Sequence, residues 1–277
     1  MDQRIELGLI NTLRIDRVTE PGLYLIAEDE EVVLLPNAYI TNDMHVGNDI
    51  KVFIYTDSED RLISTTLTPK GILGDIVSVE VVDLLPFGAF VDIDLPKDLL
   101  VPKNKQKSSF SVGQTRVVRI VEDEHTGRLI GTEKFSLEDA PKTFKKNDEL
   151  DVVVYAKSPL GYKLVVNGKY EGMIFHNEIF ENIEIGSSKR AYVKYVRDDG
   201  KMDVSLQKIG EKNVNDIEEK VLDILKQNGG ELGFTYKSDA EDIKDVFGIS
   251  KKSFKATLTK LIENKKIILT SNTISVC

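Results

Sequence analysis

Apolar and polar positions alternate with a period of two over Phe87-Gly88-Ala89-Phe90-Val91-Asp92-Ile93, which predicts a β-strand. Ala89, Val91 and Ile93 share one face, small and apolar enough for a core. Gly88, Phe90 and Asp92 share the other, because successive side chains point to opposite sides of a strand. A carboxylate is costly to bury unpaired, so Asp92 predicts a wet outer face. Phe90 then presents a large ring to solvent. Such a ring is either a platform for a stacking nucleobase, worth roughly 1–3 kcal/mol per base, or a side chain covered by a neighbouring loop or domain.

The pattern repeats along the chain. Gly22 and Gly47 are 25 residues apart, and so are Gly88 and Gly113, and Gly161 and Gly186. The first glycine of each pair opens a strand-like run: Pro21-Gly22-Leu23-Tyr24-Leu25, Phe87-Gly88-Ala89-Phe90-Val91 and Leu160-Gly161-Tyr162-Lys163-Leu164. Fourteen residues later a second apolar run closes, at Pro36, Pro102 and Phe175. The second glycine precedes another strand. A polar turn and a last strand follow, as in Asp60-Arg61-Leu62, Gly127-Arg128-Leu129 and Gly200-Lys201-Met202. Each unit is about 65–70 residues with five short strands, the size of a closed Greek-key barrel of the OB type.

The period changes near Gln207–Asn215. Val214, Ile217, Val221, Leu222, Ile224 and Leu225 recur at helical spacing up to Asn228-Gly229-Gly230. Ser238-Asp239 offers an N-cap for a second helix to about Phe247, and Ser250 a cap for a third over Lys251 to Glu263. Two short strands follow, Lys266–Thr270 and Thr273–Val276. Three helices and a hairpin resemble a winged helix-turn-helix. The expected fold is therefore mainly β with a small α+β C-terminal domain. It comprises three tandem five-stranded OB-type barrels over residues 1–68, 69–140 and 145–209, then a winged helix over 212–277.

Composition adds limits. The chain has 277 residues and one cysteine, Cys277, so no disulfide forms within it, which suits a reducing cytosol. Met1-Asp2-Gln3-Arg4 starts no basic-then-apolar leader. No apolar run approaches the ~18 residues of a membrane span. A cytoplasmic protein with no membrane partner is expected. The net charge is −9, unpromising for a polyanion binder, but it is unevenly placed. Residues 1–68 hold 5 Lys and Arg against 13 Asp and Glu, whereas 69–146 hold 12 against 12. Phosphate would be repelled by the first unit and tolerated by the later ones. Basic candidates beside the strands are Lys103, Lys105 and Lys107 in one loop, Arg116 and Arg119, and Lys189, Arg190, Lys194 and Arg197.

Gly74-Asp75-Ile76-Val77, Phe87-Gly88-Ala89-Phe90 and the ending Asp203-Val204-Ser205-Leu206 resemble the RNA-binding domain first described in ribosomal small-subunit protein one, the S-one domain. That resemblance implies a barrel face on which aromatic and basic side chains hold single-stranded RNA. Phe87 and Phe90 occupy its stacking positions in the second unit. Pro21 and Tyr24 stand there in the first unit, Leu160 and Lys163 in the third. The third-strand histidine of that family is replaced by Pro36, Pro102 and Phe175, with His176 following Phe175. The full order, three such units and a winged helix, resembles the bacterial conserved virulence factor B family. It implies an RNA-binding protein acting on gene expression after transcription. The third helix offers Lys251, Lys252 and Lys255 for phosphate but no Arg, Asn or Gln for bidentate base reading, so sequence-specific duplex DNA binding is disfavoured.

No catalytic pattern emerges. His45, His125 and His176 have no Cys or His at metal-ligand spacing, and neither a phosphate-binding loop nor a nucleophile elbow is present. No metal, cofactor or enzymatic activity is expected. Single-stranded RNA is the expected partner. The alternative is an adaptor that docks on the ribosome or RNA polymerase through the acidic first unit.

Overall fold

The computed structural model describes residues 4–179, 182–208 and 214–277. Met1–Gln3, at the start where no leader is expected, and residues 209–213, within the expected change of period, lie outside the described residues. Three closed five-stranded barrels follow one another. The first is built from β1 (Ile10–Val18), β2 (Gly22–Ile26), β3 (Val32–Pro36), β4 (Asp49–Thr56) and β5 (Leu62–Thr65). The second comprises β6 (Ile76–Leu85), β7 (Gly88–Val91), β8 (Leu99–Pro102), β9 (Thr115–Glu122) and β10 (Leu129–Thr132). The third comprises β11 (Glu149–Ser158), β12 (Gly161–Val166), β13 (Tyr170–Phe175), β14 (Ser188–Val196) and β15 (Met202–Ser205). Each is a meander of three strands closed by the remaining two, with the third and fifth strands parallel. After the third strand each chain makes one turn of 3-10 helix, at Asn37–Tyr39, Lys103–Lys105 and His176–Glu178.

The repeated glycines have a common cause. Gly22 and Gly161 lie against the facing strand so closely that a Cβ would stand 2.0 Å from the Leu35 carbonyl oxygen and 1.9 Å from that of Ile174. Their partners in the repeat sit in left-handed turns, with φ of 92° at Gly47, 77° at Gly113 and 87° at Gly186. There the glycine N–H donates to the first strand, to Ile15, Val81 and Val154 carbonyls at 2.8, 2.8 and 2.7 Å. Those acceptors mark the bulge in each first strand. The 25-residue spacing is thus the distance along the chain between two backbone constraints of one barrel.

The barrels are joined by packed faces. In β4, Val52, Phe53, Ile54 and Tyr55 are all buried, against the alternation of a one-sided strand. Val52 and Ile54 fill their own barrel, while Phe53 and Tyr55 join the core cluster of the second. The Leu73 N–H donates to the Gly8 carbonyl at 2.8 Å, tying the connecting segment back to the first barrel. Between the second and third barrels, Ile76 and Val117 meet Val165, with Phe135, Leu137, Val153 and Tyr155 around them.

The C-terminal winged helix consists of α1 (Val214–Gln227), β16 (Glu231–Leu232), α2 (Ala240–Phe247), α3 (Lys251–Glu263), β17 (Ile267–Leu269) and β18 (Ile274–Val276). The Asp239 carboxylate accepts from the Glu241 N–H at 2.8 Å and the Ser250 hydroxyl from the Ser253 N–H at 3.2 Å, capping α2 and α3. The strand β16 extends the hairpin to three strands by pairing with β18. Its two residues are too short to show a period. No helix among the described residues is long and apolar enough to cross a membrane.

Candidate nucleic-acid interface

Phe87 and Phe90 stand where the outer surface of the second barrel meets the first. Gly88 begins β7 pressed on β8, so Phe87 is thrown outward and is 57% exposed. Phe90, on the outward face of β7, is half-buried, and across β6 it is paired with Asp83. Both rings line a cavity of about 390 Å³, within the usual range for small-molecule pockets. Its floor is Ile93, Leu99 and Leu100. Its far wall comes from the first barrel, with Phe53, Tyr55, Thr56, Ser58 and Asp60. Lys97, Asp98 and Arg128 complete the rim.

The cations of this rim are tethered. Lys97 donates to the Asp57 carbonyl at 2.6 Å and to the Thr56 hydroxyl at 3.2 Å, and lies 3.8 Å from the Asp60 carboxylate. Arg128 forms an ion pair with Asp60. The acidic first barrel therefore lends its β4–β5 turn to the rim and holds both cations in place. Asp92, beside Phe90, accepts from Lys70 at 2.7 Å. That bond, supported by the Asp94 N–H, holds its carboxyl below the ordinary value.

Phe87 and Phe90 are the sequence-predicted residues that line this cavity. The others lie elsewhere. Lys103 is exposed and Lys105 half-buried on the 3-10 turn after β8. Arg116 and Arg119 lie within β9 rather than beside it, three residues apart and so on opposite faces. The Arg116 guanidinium reaches the Ser109 carbonyl at 2.6 Å, the Gln114 side chain at 2.9 Å and Glu133 at 3.4 Å, and covers the Phe110 ring at 4.4 Å. These bonds fix the loop before β9. Arg119 lies 5.6 Å from the centre of the Phe135 ring at the junction with the third barrel. Lys107 approaches the same ring and Tyr155, at 5.4 and 5.9 Å.

On the third barrel, Lys163 lies 3.6 Å from Glu171, Arg190 lies 3.6 Å from Glu149, and Lys194 pairs with Glu178. Lys189 is half-buried on β14. Phe175 ends β13 beneath Arg197, 5.7 Å from the guanidinium. His176 is exposed, with its ring edge on Tyr162 at 5.6 Å and Nε2 3.2 Å from the Ser158 carbonyl oxygen. Lys251, Lys252 and Lys255 lie on the first turns of α3, with Lys252 and Lys255 exposed. Among the described residues no cluster of His, Cys, Asp and Glu is arranged to hold a metal ion.

Lys97, Asp98 and Arg128 were not among the sequence-predicted site residues. A signal for Arg128 exists in the repeat, since Arg61, Arg128 and Lys201 each stand just before the last strand of their unit. Lys97 and Asp98 sit in a connection whose length and residues are not shared by the other units, so nothing in the repeat marks them.

Comparison with known proteins finds three family models along the chain. Residues 7–67 match the model of the S1 domain, residues 71–158 that of the S1 RNA binding domain, and residues 219–276 that of the CvfB-like winged helix domain. The chain is 29% identical to YitL of Bacillus subtilis (strain 168), over 96% of its length and 92% of the relative. It is 24% identical to conserved virulence factor B of Staphylococcus saprophyticus, over 99% of its length and 95% of the relative. A crystal structure of a multidomain protein with nucleic acid binding domains from Streptococcus pneumoniae is 23% identical, with 98% of each chain covered and a TM-score of 0.46. The S1 family models indicate nucleic-acid binding, and no enzyme family is among the matching models.

Proposed function

We propose that this chain, whose tail matches the CvfB-like winged helix domain and which is similar over its length to conserved virulence factor B, is a non-catalytic RNA-binding protein that holds single strands and acts on gene expression after transcription. The observation that carries this reading is the pair Phe87 and Phe90 at a cavity with Lys97 and Arg128 on its rim. An unstacked base can lie against a ring because every base has a π-face. The adjoining phosphates meet the two cations. Duplex DNA is a poor fit, because its bases are already stacked and paired. From this site the strand runs toward the third barrel, where Lys163, Phe175, His176, Lys189, Arg190 and Lys194 offer further contacts. Lys103, Lys105 and Arg119 flank the path and Lys251, Lys252 and Lys255 extend it, while Arg116 is engaged by Glu133 and the Phe110 ring.

Titration of the full chain with a fluorescent single-stranded RNA tests the reading. Phe87→Ala with Phe90→Ala should weaken binding on the order of 10- to 100-fold, as the loss of one or two stacked bases requires. Affinity should also fall as salt rises. Binding that ignores both changes would overturn the reading.

The second reading is an adaptor docking on the ribosome or RNA polymerase. It draws on the exposed acidic turn Asp29-Glu30-Glu31 between β2 and β3, where a basic protein surface could seat. Neutralising that turn as Asp29→Asn, Glu30→Gln and Glu31→Gln in the full chain should abolish co-purification under this reading. It should leave RNA affinity unchanged or raised.

A further inference from the structure

Most of the charged groups on the cavity at the junction of the first two barrels are engaged with one another. Asp60 is occupied by Arg128 and Lys97, and Lys97 is further committed to Asp57 and Thr56. Asp98, on the rim of the same cavity, makes no hydrogen bond or ion pair among the described residues. A half-buried carboxylate has only acceptor oxygens and retains the need for donors. Its surroundings sharpen that need. Partial burial, with the neighbouring carboxylates Asp92 and Asp83 adding to it and Lys70 opposing, pushes the Asp98 carboxyl up from its ordinary value. An unpaired carboxylate oxygen at the rim repels a phosphate oxygen and favours a group that brings N–H donors. The cavity is thus polarised, with Lys97 and Arg128 on the rim near the first barrel and Asp98 near the carboxylates that surround Phe90.

We propose that Asp98 reads the base that enters this cavity, and that the base it selects is guanine. This rests on the single-strand RNA reading given above. Guanine is the base whose Watson–Crick edge presents two adjacent donors, N1–H and the N2 amino group, spaced for the two oxygens of one carboxylate. Adenine offers one donor beside an acceptor, cytosine likewise, and uracil one donor between two acceptors. Against a carboxylate each of these leaves a bond unmade or sets two acceptors together. Unstacked bases of single-stranded RNA are commonly recognised on this edge. Phe87 and Phe90 supply the apolar face, which any base can use. Asp98 supplies the choice, so it is a specificity-determining residue, and one that the second barrel alone presents toward the wall made by the first.

Short uridine oligomers carrying one central guanine, adenine, cytosine or inosine test the assignment by fluorescence anisotropy on the full chain. The wild type should bind the guanine oligomer about ten-fold or more tightly than the adenine one, as a two-bond contact implies. Inosine, which keeps N1–H and lacks the amino group, should fall between them. Asp98→Asn and Asp98→Ala should bring guanine down to the adenine level. Phe90→Ala should weaken all oligomers alike. Equal affinity for all oligomers in the wild type, or a guanine preference kept in both Asp98 variants, overturns the Asp98 assignment and leaves the RNA reading standing. Failure of the wild type to bind any oligomer overturns both. The guanine-to-inosine ratio is read on the wild type and does not depend on how the variants fold.

Discussion

Lys70 donates to the Asp92 carboxylate at 2.7 Å and to its carbonyl at 3.1 Å, and lies 3.3 Å from Asp94. It fastens the segment between the first two barrels to the end of β7. Because the Asp92 carboxyl is held below its ordinary value by that bond, the pair stabilises the fold above the unfolded carboxyl range. The contribution is lost as pH falls through the depressed value. Lys70→Ala should therefore lower stability by about 0.5–1 kcal/mol at neutral pH, the scale of a partly exposed pair. The difference from wild type in chemical denaturation should vanish in acid. A pH-independent difference would point to lost packing of the lysine stem instead. Single residues were legible to unequal degrees. The outward Phe90 followed from alternation and from Asp92, whose wet, paired carboxylate is as the pattern demands. Asp98 and Lys97 did not, because their partners and neighbours come from another strand or another barrel. Arg116 looked like a surface cation, yet Glu133 and the Phe110 ring absorb it.

Among elements, the second strand of each meander depends on a glycine that touches the third. Gly161→Ala would place a methyl 1.9 Å from the Ile174 carbonyl oxygen and 2.8 Å from Phe175 Cα. Backbone must move to admit it, and overpacking of this kind costs roughly 1–3 kcal/mol. A matching loss in thermal unfolding is expected, larger than that of Gly233→Ala, where a Cβ meets nothing within 4 Å. The third helix of the tail was readable to its ends and the second to about a residue, since Asp239 and Ser250 cap where a short polar side chain precedes the apolar rhythm. The extra strand β16 was not. Two residues carry no period, and its pairing with β18 is a tertiary fact. The same limit applies to β4, in which Phe53 and Tyr55 break the expected alternation because a second barrel covers the outer face.

At the scale of the whole molecule, that covered face links the barrels energetically. Phe53 is 2% exposed and packs with Val79, Val91 and Leu99 of the second barrel's core. Phe53→Ala should cost about 3–5 kcal/mol as a large-to-small core change. Amide exchange should quicken in β7 and β8 as well as in β4. Faster exchange confined to the first barrel would mean that the two fold independently. The order of modules was legible because a 25-residue glycine spacing survives wherever a barrel needs it. How the modules meet was not, because contact surfaces between them carry no repeat.

The shared wall between the first two barrels has a consequence for how such a chain is dissected. The repeat unit runs from one barrel's first strand to its last, but the cavity straddles two units. A fragment cut at the seam would keep Phe87 and Phe90, lose Tyr55 and Asp60, and so hold half of the proposed binding site. A repeat invites cutting at its boundaries, and here one boundary crosses the middle of that cavity.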